Sequence, residues 1–130
     1  MNEVYEFLKS CGTYYLATVD GDQPRVRPFG TVDIFDGGLY IQTGKKKDVA
    51  KQLKSNPKVE LCAFKAGKWI RVAATAVLDE RIEAQEHMLE SFPSLKGMYQ
   101  AGDGNTEVYR LENVTATVSS FSEEPKTYTF

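Results

Sequence analysis

Residues 23–61 read QPRVRPFGTVDIFDGGLYIQTGKKKDVAKQLKSNPKVEL, and the fold is decided here. RVRPFGTVDIF is extended in character, Asp36-Gly37-Gly38 supplies a turn, and LYIQT resumes as a strand. After Gly44 the period changes. Val49, Ala50 and Leu53 fall on one helical face, while Lys46, Lys47, Asp48, Lys51 and Lys54 are free to stay solvated. Asn56-Pro57 ends that helix, and KVELCAF returns to strand character.

Working outward, Glu3 to Cys11 places Val4, Phe7, Leu8 and Cys11 at helical spacing, with Asn2 as N-cap and Gly12 as the stop. TYYLATV is β-branched and aromatic, and the DGDQP turn after it makes a hairpin with RVRPFGTVDIF. With LYIQT this gives three consecutive antiparallel strands, most simply a meander. KVELCAF and KWIRVAATAVL form a second hairpin about Lys65-Ala66-Gly67. A further helix is expected from Glu80 to Phe92, carrying Ile82, Met88, Leu89 and Phe92 inward and stopped by Pro93. TEVYRLE and VTATVSSF, around Asn113, are strands that precede a polar tail containing Pro125. Six or seven short strands with helices inserted between hairpins predict a mainly β protein, a small antiparallel barrel whose closure removes exposed edges.

The chain of 130 residues suits one domain, spanning residues 1–130, and its 42% hydrophobic and 26% charged content is that of an ordinary globular protein. Sixteen basic against 18 acidic residues, a net charge of −2, argue against nucleic acid as a partner, so any anion site is local. The N-terminal MNEVYEFLKSCGTYY is neither a secretory signal nor a membrane anchor, which predicts a cytoplasmic protein that does not engage membranes. Cys11 and Cys62 form no disulfide or zinc pattern and read as small buried hydrophobes.

Two clusters of positive charge stand out. Arg25 and Arg27 lie two apart on a strand and so share a face, with Pro28 just beyond. They are either a solvated face beside a turn or the walls of an anion site. Lys45-Lys46-Lys47 immediately precedes a helix, whose N-terminal end is already positive and prefers acidic neighbours. A phosphate would turn that disadvantage into a site, with the Thr43 hydroxyl, helix N–H groups and ammonium groups converging on one dianion. An ordinary solvated run, with Asp48 partly offsetting the charge, is the other reading.

The ordered set of parts from QPRVRPFG through LYIQTGKKKDVAKQLKSNPKVEL resembles the FMN-binding split-barrel family of pyridoxamine 5'-phosphate oxidase-like proteins, and the short format looks most like its nitroimidazole-resistance branch. The resemblance runs from about Phe7 to Leu78 and more weakly to the end. It implies a six- to seven-stranded antiparallel split barrel that binds FMN at the interface of a homodimer. By that resemblance Arg27 contacts the flavin phosphate, and the backbone of Val26, Arg27, Pro28 and Phe29 faces the isoalloxazine ring. Gln42 and Thr43 reach the ribityl chain and phosphate, Lys46 and Lys47 are the basic pair on the phosphate, and Trp69 and Arg71 come from the second subunit. Trp69 reads equally as a barrel anchor beside Ile70.

The sequence departs from the true oxidases at Val32, where they carry a lysine, and lacks their C-terminal substrate-binding Arg and His, which argues against pyridoxamine phosphate oxidation. His87 has no catalytic partner at a recognisable spacing and reads as a surface or satisfied histidine. Glu80, Glu83, Glu86 and Glu90 read as the wet face of their helix. With no protein nucleophile or metal centre in view, the chemistry is expected to reside in the flavin. The leading expectation is an oxidoreductase passing electrons from a nicotinamide nucleotide, NADH or NADPH, or another donor to a small acceptor such as a nitroaromatic. The alternatives are a non-catalytic flavin- or nucleotide-binding sensor and a deazaflavin- or haem-linked relative.

Overall fold

A computed structural model describes residues 1–130. Eight strands and three helices follow in the order α1 (Asn2–Cys11), β1 (Tyr14–Asp20), β2 (Gln23–Phe29), β3 (Asp33–Phe35), β4 (Gly38–Gly44), α2 (Asp48–Ser55), β5 (Lys58–Lys65), β6 (Lys68–Asp79), α3 (Ile82–Ser91), β7 (Thr106–Ser120) and β8 (Lys126–Thr129). A short 3-10 helix, Pro93–Gly97, continues from α3. The strands form one antiparallel sheet in the order β2-β1-β5-β6-β7-β4-β3, with β8 added against β7. This is the mainly β antiparallel fold that the sequence predicts, in the split-barrel form that the resemblance implies.

The three-strand meander does not form. RVRPFGTVDIF breaks at Gly30–Val32 into β2, which pairs with β1, and β3, which pairs with β4 at the far end of the sheet. β4 takes its second neighbour from β7, through Leu39↔Leu111 to Gly44↔Thr106. TEVYRLE and VTATVSSF are one continuous strand. It bends at Asn113, whose φ of 52° is left-handed, where the β6–β7 register shifts. The bend lets the first half of β7 serve β4 while its second half receives β8, a strand not expected in the polar tail.

Alternation does the rest. Tyr14, Leu16 and Thr18 of β1, Val59, Leu61 and Ala63 of β5, and Ile70, Val72 and Ala74 of β6 point inward and are buried. They join Leu39, Ile41, Val114 and Ala116 in one core, capped by Val4 and Leu8 of α1 and Val49 and Leu53 of α2. α1 begins at Asn2 itself, so Met1 and not Asn2 precedes it, and no side chain caps it. Cys11 is half-buried and Cys62 exposed, so neither is the buried hydrophobe expected of it. Cys62 follows inward-facing Leu61 and so lies on the outer face. In α3, Ala84, Met88 and Leu89 face inward, whereas Ile82 is 42% exposed.

Between β2 and β4 the barrel is closed by a side chain in place of a backbone ladder. The Thr31 hydroxyl accepts from Gln42 N at 3.0 Å and donates to Gln42 O at 3.3 Å. The Thr31 carbonyl in turn accepts from the buried Tyr14 hydroxyl at 2.6 Å. Strand β2 therefore has a partner on one side only, and its Pro24 and Pro28 occupy positions paired with Val19 and Tyr15. Proline has no N–H for a ladder, and a strand without a second neighbour is where it is tolerated.

Candidate cofactor cleft

Two cavities open beside the free edge of β2, and Lys47 lines both. The larger, about 780 Å³, lies between the β1–β2 hairpin and α2, with Arg25, Arg27, Lys47, Lys51 and Gln52 on its walls. The smaller, about 290 Å³, runs from Pro28 and Phe29 past Gln42 and Thr43 to Phe92, Leu95, Met98 and Tyr99. The larger cavity is therefore basic, while the smaller is apolar and aromatic at Phe29, Phe92 and Leu95 and meets the basic turn where Thr43, Lys47 and Tyr99 line it.

Leu16↔Arg27 and Thr18↔Arg25 pairing puts both arginines on the same face, as period-two geometry requires. Their environments differ. Arg25 is half exposed and pairs with Asp20 at 3.1 Å. Arg27 is half-buried and has only neutral partners: the Leu16 carbonyl at 3.1 Å, the Thr18 hydroxyl at 2.8 Å and the Gln52 amide oxygen at 2.6 Å. Burial, and then the neighbouring Arg25, lower the Arg27 pKa, while Asp48 acts the other way. No carboxylate neutralises the Arg27 guanidinium by contact.

The basic turn follows from the backbone at Gly44. Lys45 N donates to Asn105 O at 2.7 Å and Lys47 N to Gly44 O at 3.0 Å, which aims the chain into α2. Lys47 is the extended residue before the helix, and no side chain caps the helix start. Both lysines are exposed, but Lys47 lines both cavities and Lys46 lines neither. Gln42 and Thr43 are buried at the end of β4. The Gln42 amide donates to Thr43 O at 3.2 Å and to the Thr106 hydroxyl at 3.1 Å, so the fold itself uses that side chain.

Val26, Arg27, Pro28, Phe29, Gln42, Thr43 and Lys47 thus come together along one cleft. Trp69 and Arg71 do not join it. They lie on the outer face of the sheet over a hollow of about 450 Å³ with Glu60, Ala73, Thr115 and Thr117. Arg71 pairs there with Glu60 at 2.8 Å, and Trp69 packs on Phe121 with ring centroids 5.1 Å apart. The same outer face exposes Tyr15 (52%), Val26 (68%) and Phe64 (64%).

Lys51 and Gln52 of α2, and Phe92, Leu95, Met98 and Tyr99 after α3, line the cleft without having been singled out from sequence. For Lys51 and Gln52 the signal was available, since both lie within two turns of the basic run on a helix whose opposite face is apolar. Nothing local marks the other four. Val32, at the position of the oxidases' lysine, is 1% exposed in the core. The His87 Nδ1 lies 2.6 Å from buried Asp33, which also accepts from Ser91 at 2.8 Å, and His87 lines neither cavity. Glu80, Glu83, Glu86 and Glu90 are exposed. No group of three His, Cys, Asp or Glu side chains is placed to hold a metal ion, and no helix is long and apolar enough to cross a membrane.

Comparison with known proteins identifies the family to which this fold belongs. The family described as pyridoxamine 5'-phosphate oxidase matches residues 1–119. A NimC/NimA family protein from Clostridium acetobutylicum is 44% identical, with a TM-score of 0.97 over 100% of this chain and 92% of that one. A pyridoxamine 5'-phosphate oxidase-related, FMN-binding protein from Nostoc punctiforme shares the fold at 13% identity, with a TM-score of 0.67 over 98% and 92% of the two chains. A heme binding protein from Mycobacterium smegmatis does so at 16% identity and a TM-score of 0.71, over 96% of this chain and 57% of that one. No curated protein matches the sequence. The chain therefore belongs to the pyridoxamine 5'-phosphate oxidase family, and within it resembles the nitroimidazole-resistance branch to which the NimC/NimA protein points.

Proposed function

We propose that the cleft holds FMN, and that two copies of the chain form a homodimer with two equivalent sites which passes electrons from NADH, NADPH or a comparable donor to a small acceptor, nitroaromatic compounds being the class to try first. The observation that carries this reading is Arg27: a half-buried guanidinium lining a cavity, tethered by three neutral oxygens and without a carboxylate partner. Partly burying a charge without a counter-charge is unfavourable, and a phosphate dianion in the cleft would supply one.

The donors present fit that phosphate. Arg27 and Lys47 approach from different elements, Lys51 adds a third cation, and Lys47 precedes the N-terminus of α2. Beyond them, the unpaired edge of β2 offers backbone groups, and Phe29, Phe92 and Leu95 offer apolar surface to a flat ring. FMN, when bound, supplies the hydride and electron transfer, and the chain supplies position and electrostatics. Trp69 and Arg71 can complete a site only in a second copy, and the exposed Tyr15, Val26 and Phe64 on the same face favour such an association. Free Cys11 and Cys62 suit the reducing cytoplasm in which we place the protein.

Titration with FMN and riboflavin in parallel tests the site, because only FMN uses Arg27 and Lys47. Equal affinities would remove the phosphate from the argument. Anaerobic reduction of the holoprotein by NADH or NADPH, followed by reoxidation with a nitroaromatic, separates an oxidoreductase from a protein that only stores or senses the nucleotide. Sedimentation of the holoprotein at micromolar concentration tests the dimer, and a monomer that holds FMN tightly would refute the shared site.

A further inference from the structure

Four tyrosines are exposed by 8% or less: Tyr14, Tyr40, Tyr99 and Tyr109. Three of their hydroxyls are bonded within the chain, Tyr14 donating to Thr31 O at 2.6 Å, Tyr40 to Asp79 at 2.7 Å and Tyr109 to Glu107 at 2.8 Å. That is the ordinary state of a buried phenol. The Tyr99 hydroxyl takes no partner from the chain but is not sealed from solvent, and its residue lines the smaller cavity beside Thr43 and Lys47.

Its position explains a glycine. The Tyr99 ring lies against Gly44, where an added Cβ would stand 2.9 Å from the hydroxyl oxygen and 3.3 Å from a ring carbon. Six glycines of the chain have left-handed φ, and Gly44 is not among them, so space and not backbone conformation calls for glycine here. Gly44 is also where the basic turn begins, its carbonyl accepting from Lys47 N. The free phenol is therefore fitted against the turn that carries Lys47.

We propose that Tyr99 is a further binding residue for the phosphate end of the nucleotide, its hydroxyl donating a hydrogen bond to a phosphate oxygen, and that Gly44 is glycine to admit it. The inference rests on the reading of the cleft as an FMN site. A phenol adds a neutral, directional donor to the cations Arg27 and Lys47, and it arrives from a different part of the chain, the segment after α3.

The test is a titration of the parent, Tyr99→Phe and Gly44→Ala proteins with FMN and with riboflavin, beside melting of each apoprotein. Tyr99→Phe should weaken FMN about tenfold. It should leave riboflavin binding and apoprotein melting unchanged, since the hydroxyl has no partner in the chain to lose. Gly44→Ala, which displaces the ring, should weaken FMN to a similar degree. FMN binding within twofold of the parent in Tyr99→Phe would overturn the assignment. So would an equal loss of FMN and riboflavin, which places the contact away from the phosphate, or a fall in apoprotein melting, which makes the tyrosine structural. Should Gly44→Ala fail to fold, Tyr99→Phe alone decides. A parent that binds no FMN would refute the cofactor reading itself, and the Tyr99 assignment with it.

Discussion

Replacing Arg27 by methionine keeps most of the apolar stem and removes the guanidinium, which separates a ligand-binding arginine from a structural tie. A charge-assisted hydrogen bond to a partly buried phosphate contributes about 1.5–3 kcal/mol, so FMN affinity should fall about 10- to 150-fold. The apoprotein should respond differently. It loses bonds from Arg27 to the Leu16 carbonyl, Thr18 and Gln52, but the Thr18 hydroxyl still donates to the Gln52 amide oxygen. It also sheds a half-buried charge that sits beside Arg25. These effects oppose one another, and apoprotein stability should change by no more than about 1 kcal/mol. Flavin fluorescence quenching reads the first quantity and urea unfolding of the apoprotein the second. An FMN affinity within twofold of the parent, or an apoprotein destabilised by about 3 kcal/mol with FMN affinity preserved, would show that Arg27 serves the fold.

The lysine pair should split under mutation: Lys47→Ala is expected to cost FMN about tenfold in affinity, and Lys46→Ala to change it less than twofold, both read by the same titration. Thr31→Val keeps the side-chain shape but unties Gln42 from the seam, and should lower stability in urea by about 1–3 kcal/mol. The Arg81 hydrogen bonds, helped by Tyr40, hold the Asp79 carboxyl below the ordinary carboxylate range against the opposing effect of its burial. Its stabilisation is full above the unfolded-state pKa near 4 and is lost only as pH falls through the lower folded value. Asp79→Asn should therefore melt below the parent at pH 7, and the gap should close only in strong acid. Ala73→Glu, in the hollow with Trp69 and Arg71, should dissociate the proposed dimer in sedimentation while leaving the far-ultraviolet spectrum intact.

Local pattern carried the helices and strands because the relevant spacing lies within each segment. The inward faces of α2, β5 and β6 follow directly from Val49, Leu53, Leu61 and Val72. The exposure of Cys62 was legible too, since KVELCAF alternates and Leu61 must point inward. The usual burial of cysteine was the weaker argument there. The neighbours of β4 were not legible, because its ladder is made with β7, whose contribution to pairing is set by the whole barrel and not by LYIQT. The same division holds at the site. Arg27, Thr43 and Lys47 sit in one continuous stretch and could be read together, whereas Phe92, Leu95, Met98 and Tyr99 reach the cleft through the packing of α3 on β3 and β7.

Pro24 and Pro28 on the open edge of β2 also bear on the life of the chain before it meets any ligand. An unpaired strand edge is a template on which other chains can add strands and begin to aggregate. An added strand needs a long run of regularly spaced backbone bonds, and two prolines four residues apart interrupt that run. A small molecule needs only one or two such bonds and is not hindered. The open side of the barrel is thus closed to polymerisation while it stays open to a cofactor.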